Sequence, residues 1–288
     1  MSHISHLAIT NYRNLANLDL ELPPGVVIFF GSNAQGKTAL LEAVYTMAIA
    51  RSFRAENERE VVNFKAAAQG DMALVGGTIK SEGSQLQVYV GYQPMPGRQT
   101  TIPRNQDDAS PGGSGLRYSV RKQIRVSRVN RTATELVGMV HAVLFSADDI
   151  QLVLGPPSGR RRFLDIILSQ ADPLYMKSLQ RYQKVVQQRN QLLRLVREGR
   201  AWSEELEFWT GQLIAEGSWL TWCRHQLVNH LGPLCDEKHR ELSGPGGEFS
   251  LIYKSSVPLA DVETGMEANF REALAAVERR ERATATTA

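Results

Sequence analysis

Eight consecutive residues near the start of the chain have types and spacing suited to holding phosphate. They fit the pattern GxxxxGK[ST] and are Gly31, Ser32, Asn33, Ala34, Gln35, Gly36, Lys37 and Thr38. Glycines let backbone N–H groups approach phosphate oxygens without a Cβ in the way. In this pattern Lys37 can reach the β- and γ-phosphates of a nucleotide, and the Thr38 hydroxyl can ligate Mg²⁺.

Such a loop needs a buried strand before it and a helix after it. Residues 26–30 are a continuous apolar run, which predicts a central strand buried on both faces. Residues 39–50 have apolar side chains at helical spacing, so they predict a helix whose first N–H groups face the phosphates. The alternative is a turn that fits by chance, which happens in roughly one such chain per hundred. The flanking elements favour nucleotide binding.

The rest of the first half has mainly strand patterns, with a hairpin turn at residues 81–84. Predicted strands cover residues 4–10, 18–22, 72–79, 85–92, 117–126 and 140–145. Residues 93–115 are rich in proline and glycine, which predicts a surface loop longer than most connections in compact domains.

The second half is mostly helical. From residue 158 to about residue 240, apolar residues recur at three- to four-residue steps, and Gly199 divides them into two long helices. Two such helices joined by a short turn form an antiparallel hairpin. One more strand is predicted at residues 249–253 and one more helix at 268–282.

Composition excludes several classes of protein. The chain has 288 residues, 42% of them hydrophobic and 22% charged, with a net charge of +3. These values are ordinary for a folded domain and argue against disorder. Cys223 and Cys235 have no metal-ligand spacing and are interpreted as buried or half-buried thiols of a cytoplasmic protein. No run of residues is long and apolar enough for a membrane helix.

Short motifs spread over the chain narrow the assignment. They are IxNYRNL at 9–15, NxQGKTxLLEA at 33–43, RSFR at 51–54, VLFSxxDI at 143–150, RRRFLD at 160–165, YQKV at 182–185 and QRN at 188–190. Together they resemble the RecF family, whose fold is similar to the heads of Rad50 and SMC proteins. The resemblance runs from residue 4 to about residue 282.

The resemblance implies an α/β P-loop NTPase head of the ABC/SMC type, a mixed sheet with helices, carrying an inserted all-α lobe. The expected division is residues 1–157 for the first part of the head, 158–245 for the lobe and 246–288 for a return to the head. ATP and Mg²⁺ are the implied cofactors. Arg13 and Asn14 match positions that lie near the nucleotide phosphates in related heads.

The resemblance also implies partners. They are DNA, as duplex and as junctions between single and double strands, RecR-like and RecO-like mediators, and a second copy of the chain in an ATP-dependent dimer. These proteins help to load recombinase at gaps in replication, repair and the SOS response.

Relatives continue past residue 288 with a Gly-Pro-His-Arg-Asp-Asp segment, an ABC-type signature and a Walker B strand. Asp148 and Asp149 follow an apolar run, as Walker B acids do. Their position before the triple arginine and the capping preference of Asp instead favour a turn or helix cap. A non-hydrolysing adaptor is therefore an alternative function, and a P-loop phosphotransferase of another kind is a less favoured one.

Two basic segments are candidates for DNA contacts. Residues 117–131 hold five Arg and Lys122 with no acidic residue, and residues 151–200 have an excess of seven positive charges. Guanidinium groups suit phosphate contacts without reading sequence. The candidate DNA-binding residues are Arg117, Arg121, Arg125, Arg181, Arg189 and Arg194. The alternative for each cluster is a solvated helix face or internal ion pairs.

We expect the isolated chain to bind ATP weakly and not to hydrolyse it, because signature and Walker B residues supply the electrostatics of hydrolysis. Equilibrium titration with a fluorescent ATP analogue should show binding that Lys37→Ala removes. A phosphate-release assay should give the same background rate for both proteins. Hydrolysis that disappears in the Lys37→Ala variant would contradict the expectation.

Overall fold

The computed structural model describes residues 2–81, 83–96, 118–244 and 247–287. The chain forms two compact units, Met1–Phe145 and Ser146–Ala288. The assignment of residues 246–288 to the ATPase head stays a prediction.

The first unit is built on a six-stranded sheet in the order β2-β1-β3-β4-β5-β6. Each strand pairs with its neighbours antiparallel. The strands are β1 (His3–Tyr12), β2 (Leu15–Glu21), β3 (Ala73–Ser81), β4 (Ser84–Pro96), β5 (Tyr118–Val126) and β6 (Val129–Arg131). The predicted strands 4–10 and 18–22 and the hairpin around residues 81–84 are confirmed.

One face of this sheet is the core face, and helix α1 (Lys37–Ile49) packs on it. Alternate strand residues such as Leu7, Val75 and Val88 are wholly buried there, together with Met47 of the helix. The predicted helix at 39–50 is therefore confirmed. Two shorter helices, α2 (Phe64–Gln69) and α3 (Ala133–Leu136), and a 3₁₀ turn at Glu58–Val61 complete the helices of this unit within the described residues.

Three predicted strands are wrong: residues 26–30, 140–145 and 249–253 are not strands in the structure. Residues 26–30 are also exposed instead of buried: the exposed fraction is 90% for Val26 and 93% for Phe30. A strand exists only when a neighbouring strand completes its hydrogen-bond ladder. Within the described part of the chain no strand pairs with these segments, and an apolar composition does not supply a partner.

Strand β4 extends to Pro96, so the predicted loop at 93–115 begins later than expected. The rest of that loop and Arg117 fall outside the described residues.

The second unit is helical. Its helices are α4 (Gln151–Leu154), α5 (Pro157–Ala171), α6 (Pro173–Arg197), α7 (Leu206–Ser243) and α8 (Met266–Thr284). The long helices α6 and α7 and the later α8 confirm the helical predictions. Gly199, with φ of 69°, follows the end of α6 and allows the chain to leave the helix there. Among the described residues, no helix has the length and apolar character needed to cross a membrane.

Both cysteines lie on α7 as free, half-buried thiols, as predicted. Burial raises the pKa of the Cys223 thiol to about 11. At neutral pH this side chain is therefore a protonated thiol and a poor nucleophile.

A buried ion pair joins the helices of the second unit. Arg189 on α6 donates to Glu281 on α8 through two bonds, of 2.7 Å and 3.1 Å, and the residues are 4% and 1% exposed. The same guanidinium donates to the hydroxyls of Thr210 on α7 and Thr287 after α8. Each charge is thus compensated in the interior, which the burial of ions requires.

Removing one charge of this pair should destabilise the fold strongly. Glu281→Gln leaves the buried Arg189 uncompensated, so we expect the free energy of unfolding in urea to fall by about 3–5 kcal/mol. The control is Glu278→Gln on the same helix, which removes an exposed pair with Arg282 and should cost less than about 1 kcal/mol. Equal, small losses in both variants would contradict this account.

Candidate functional site: a glycine-rich loop and its supports

The candidate phosphate loop, Gly31–Thr38, leads directly into helix α1. Gly36 is the N-cap residue of the helix, with φ of 95° and no side-chain cap on the first N–H groups. The Lys37 ammonium folds back over the loop and donates to the carbonyls of Gly31, at 2.8 Å, and Ser32, at 2.7 Å. The N-terminus of α1 therefore has free N–H groups beside the positive charge of Lys37, and the Thr38 side chain is exposed next to them. This arrangement is suited to binding an anion.

Gly36 fits tightly against the β1–β2 turn. A Cβ on it would lie 2.7 Å from Cδ2 of Leu15 and 3.2 Å from Oδ1 of Asn14. The Asn14 amide also donates to the carbonyl of Ala34, at 3.0 Å. Asn14 thus touches the loop directly, and only glycine leaves room for this approach.

Arg13 is held by a buried carboxylate. Its Nε and Nη2 atoms donate to Glu42 on α1, with the shortest distance 2.8 Å, and its Nη1 donates to the carbonyl of Glu60, at 2.9 Å. Glu42 is 0% exposed and also accepts a hydrogen bond from the Ser52 hydroxyl. The described bonds of Arg13 thus go to the support of the loop and not to the loop itself. Its role near phosphates stays a prediction.

The electrostatics agree with this geometry. Partial burial of Arg13 works against its charge, but the hydrogen bonds and the attraction of Glu42 outweigh burial, so the pKa of Arg13 is raised. For Tyr12 burial acts in the other direction: together with the charge of Glu42 it raises the pKa of the hydroxyl, which is paired with Thr46. Arg13 is charged and Tyr12 neutral at physiological pH.

Glu42 and Ser52 are supports of the loop whose roles the sequence analysis did not assign. The available signal was an acidic residue on an apolar helix, one turn after Thr38. The Ser52 hydroxyl accepts hydrogen bonds from the backbone N–H groups of Arg54 and Ala55, at 2.9 and 2.8 Å. Glu42 therefore connects the residues after α1 to Arg13.

The candidate DNA-binding arginines separate into distinct environments. Arg121 and Arg125 are exposed on one face of β5, as predicted, while Ile124 and Val126 are buried on the other. Arg125 donates to Oδ1 of Asn130 on β6, at 3.2 Å.

On α6 the three candidates differ. Arg194 is exposed, Arg181 is exposed but paired with Glu216 at 2.5 Å, and Arg189 is buried in the ion pair with Glu281. The expectation that Arg189 is available to DNA is therefore wrong: it lies on the side of α6 that faces α7 and α8.

A short 3₁₀ helix, Ala147–Ile150, lies before the triple arginine, and its N-terminus is capped. The Asp149 carboxylate accepts a hydrogen bond from the backbone N–H of Ser146, at 2.6 Å, which confirms Asp149 as a capping residue. Arg160 donates to the carbonyls of Leu152 and Gly155. At least one of the three arginines thus has an internal structural role.

An α/β unit with a glycine-rich loop at a helix start, together with an all-α unit, defines an ABC-ATPase-like protein. Solved structures agree: that of the recombination mediator protein RecF with ATP in the RecFOR pathway has a TM-score of 0.83 at 25% identity, covering 100% of this chain and 70% of that one. A second RecF structure gives the same TM-score of 0.83 at 24% identity. The expected ATPase-head class with helices is confirmed, but the sheet within the described residues is antiparallel and not mixed.

Sequence comparison identifies the family. The DNA replication and repair protein RecF of Herpetosiphon aurantiacus is 38% identical over 282 residues, 97% of this chain and 70% of that protein. RecF of Roseiflexus castenholzii is 38% identical over 276 residues, 92% of this chain and 66% of that protein. No protein-family model matches. The chain belongs to the RecF family.

The chain is shorter than these relatives. It spans 70%, 66% and 64% of the lengths of the three relatives from Herpetosiphon, Roseiflexus and Chloroflexus aurantiacus.

The close fit of Gly36 gives a prediction. Gly36→Ala forces an L-residue into positive φ and displaces Asn14 or Leu15, so we expect a loss of about 1–3 kcal/mol in unfolding free energy and weaker binding of a fluorescent ATP analogue. The control is Gly159→Ala in α5, where a Cβ meets no atom within 4 Å. It should stabilise the helix by up to about 1 kcal/mol and leave ATP binding unchanged. Normal ATP binding by the Gly36→Ala variant would argue against this geometry.

Proposed function

We propose that this chain binds ATP and DNA and acts as a RecF-type mediator at single-strand gaps and at junctions of single-stranded and duplex DNA. There it helps to load recombinase during replication, repair and the SOS response. Membership of the family supports this role, since the relatives from Herpetosiphon and Roseiflexus are DNA replication and repair proteins.

The loop around Lys37 is the observation that carries ATP binding. The Lys37 ammonium donates to two loop carbonyls near the N-terminus of α1, and Asn14, in the β1–β2 turn, donates to the carbonyl of Ala34 in the loop. On binding, the ammonium exchanges these carbonyls for phosphate oxygens, and the N–H groups of Gly31–Thr38 donate to the phosphates. Thr38 would hold the Mg²⁺ that accompanies ATP. A RecF structure containing ATP has the same fold.

The exposed side of α6 supports duplex binding. The 25 residues of this helix include no acidic residue, and Lys177, Lys184 and Arg194 are exposed on it. None of these three forms an ion pair with a residue that the structure describes. Exposed glutamines lie between the charges, at positions 180, 183, 187, 188 and 191. Cations and amide donors on a helix that has no carboxylates of its own suit a phosphate backbone.

The remaining parts of the proposal follow from the family resemblance. They are ATP-dependent pairing of two copies, binding to RecR-like and RecO-like mediators, and a cytoplasmic location.

Neutralising the α6 cations tests the DNA proposal. In the triple variant Lys177→Gln, Lys184→Gln and Arg194→Gln, we expect at least about tenfold weaker binding to a duplex. The slope of log K against log salt should flatten by about 0.9 for each DNA phosphate that the protein no longer neutralises. Fluorescence anisotropy at several salt concentrations measures both quantities.

The matched control removes three exposed charges from α8, with Arg271→Gln, Arg279→Gln and Arg280→Gln. It should change duplex affinity much less. Identical salt slopes for the two triple variants would exclude α6 from the interface.

A further inference from the structure

We propose that the outer face of strands β3–β6, the face opposite α1, binds single-stranded DNA. This inference rests on the proposed DNA-binding function and assigns one kind of DNA to one surface. Tyr89 on β4 lies at the centre of this face, and Arg121 and Arg125 lie on the adjacent strand β5.

Strand register brings these residues together. Tyr89 on β4 lies opposite Gly76 on β3 and opposite Arg125 on β5. Further along β4 at two-residue intervals come Gly91, which lies opposite Gln123, and Gln93, which lies opposite Arg121. Because directly opposed residues point to the same side of a sheet, these side chains share the outer face.

The centre of this face consists of two glycines, Gly76 and Gly91, and the apolar side chains that lie next to them. A Cβ on Gly76 would lie 2.3 Å from the Tyr89 ring, so the ring lies over the glycine of the neighbouring strand. Leu74 and Met72 approach Gly91 in the same way, at 3.8 and 3.1 Å from its Cβ position. With glycines beneath them, the side chains lie along the sheet, and Tyr89 remains partly exposed. A partly exposed ring lying over a glycine can offer a π-face to a planar ligand.

The groups around this centre are cationic or amide-bearing. Among the described residues, the outer positions of β3–β6 include no carboxylate, and the acidic residues of this sheet face, Asp19 and Glu21, are on β2. The cations are Lys80, Arg121 and Arg125, and the amides are Gln85, Gln87, Gln93, Gln123 and Asn130. This composition is complementary to a polyanion that also offers hydrogen-bonding edges.

Single-stranded DNA fits these features better than a duplex. Unpaired bases can stack on an aromatic ring, place their edges against amides and leave their phosphates to arginines. In a duplex the bases already stack on each other, and only phosphates and groove edges are accessible. A duplex on this face would therefore leave the Tyr89 ring without a stacking partner.

The test compares Tyr89→Leu with Tyr89→Phe. Leucine keeps an apolar cover over Gly76 but removes the π-face. Stacking contributes enough per base that we expect about 5- to 150-fold weaker binding of an oligothymidylate in Tyr89→Leu. Tyr89→Phe should bind as the unchanged chain does, and all three proteins should bind a duplex equally, in anisotropy titrations at one salt concentration.

A direct measurement accompanies the affinities. An oligonucleotide containing 5-iodouracil should photo-cross-link to Tyr89, identified by mass spectrometry of the cross-linked peptide. Arg121→Gln should weaken oligothymidylate binding, whereas its control Arg279→Gln, which removes an exposed charge on α8, should not.

The outcomes separate the two proposals. If duplex binding depends on α6 but oligothymidylate binding is unchanged in Tyr89→Leu and cross-links elsewhere, this inference fails and the proposed function stands. If the unchanged chain binds neither form of DNA, the proposed function fails and the inference fails with it.

Discussion

The buried carboxylate of Glu42 is the constraint on which the candidate site depends. An ionised carboxylate in the interior is tolerated only when its oxygens are fully hydrogen-bonded to compensating groups. Here Arg13 and Ser52 supply those bonds. The requirement fixes the β1–β2 turn against α1, and the next residue, Asn14, then bonds to the loop at Ala34. A single buried charge thus positions three separate stretches of chain around the candidate phosphate site.

Charge is distributed differently on the surfaces of the two units. In the first unit, arginines and amides share a sheet face with Tyr89, and in the second unit Lys177 and Lys184 lie on a helix that contains no acidic residue. The net charge of +3 conceals both surfaces because acidic residues lie elsewhere. The two proposals assign a different chemical part of DNA to each surface: bases with phosphates to the sheet, and phosphates alone to the helix.

Much of the fold was predictable from local pattern. The hairpin of β3 and β4 and the helices α1, α6, α7 and α8 have apolar spacings of two or of three to four residues that match their elements. Residues 26–30 show the limit of this reasoning. Their apolar run has the composition of a buried strand, but pairing is a property of the neighbouring strands, and the segment is unpaired and exposed.

The sequence by itself determined the loop Gly31–Thr38, the family and the alternation that exposes Arg121 and Arg125. The loop and the alternation depend on residues close together in the chain, and the family depends on several motifs that are each short and local. Only the tertiary structure decided that Arg189 is an internal partner of Glu281, 92 residues away, and not a surface cation. It also decided that the Tyr89 ring lies over Gly76 on the neighbouring strand. The ion pair depends on which distant segments meet, and the ring position depends on how a side chain lies across its sheet. Residue type and local spacing specify neither.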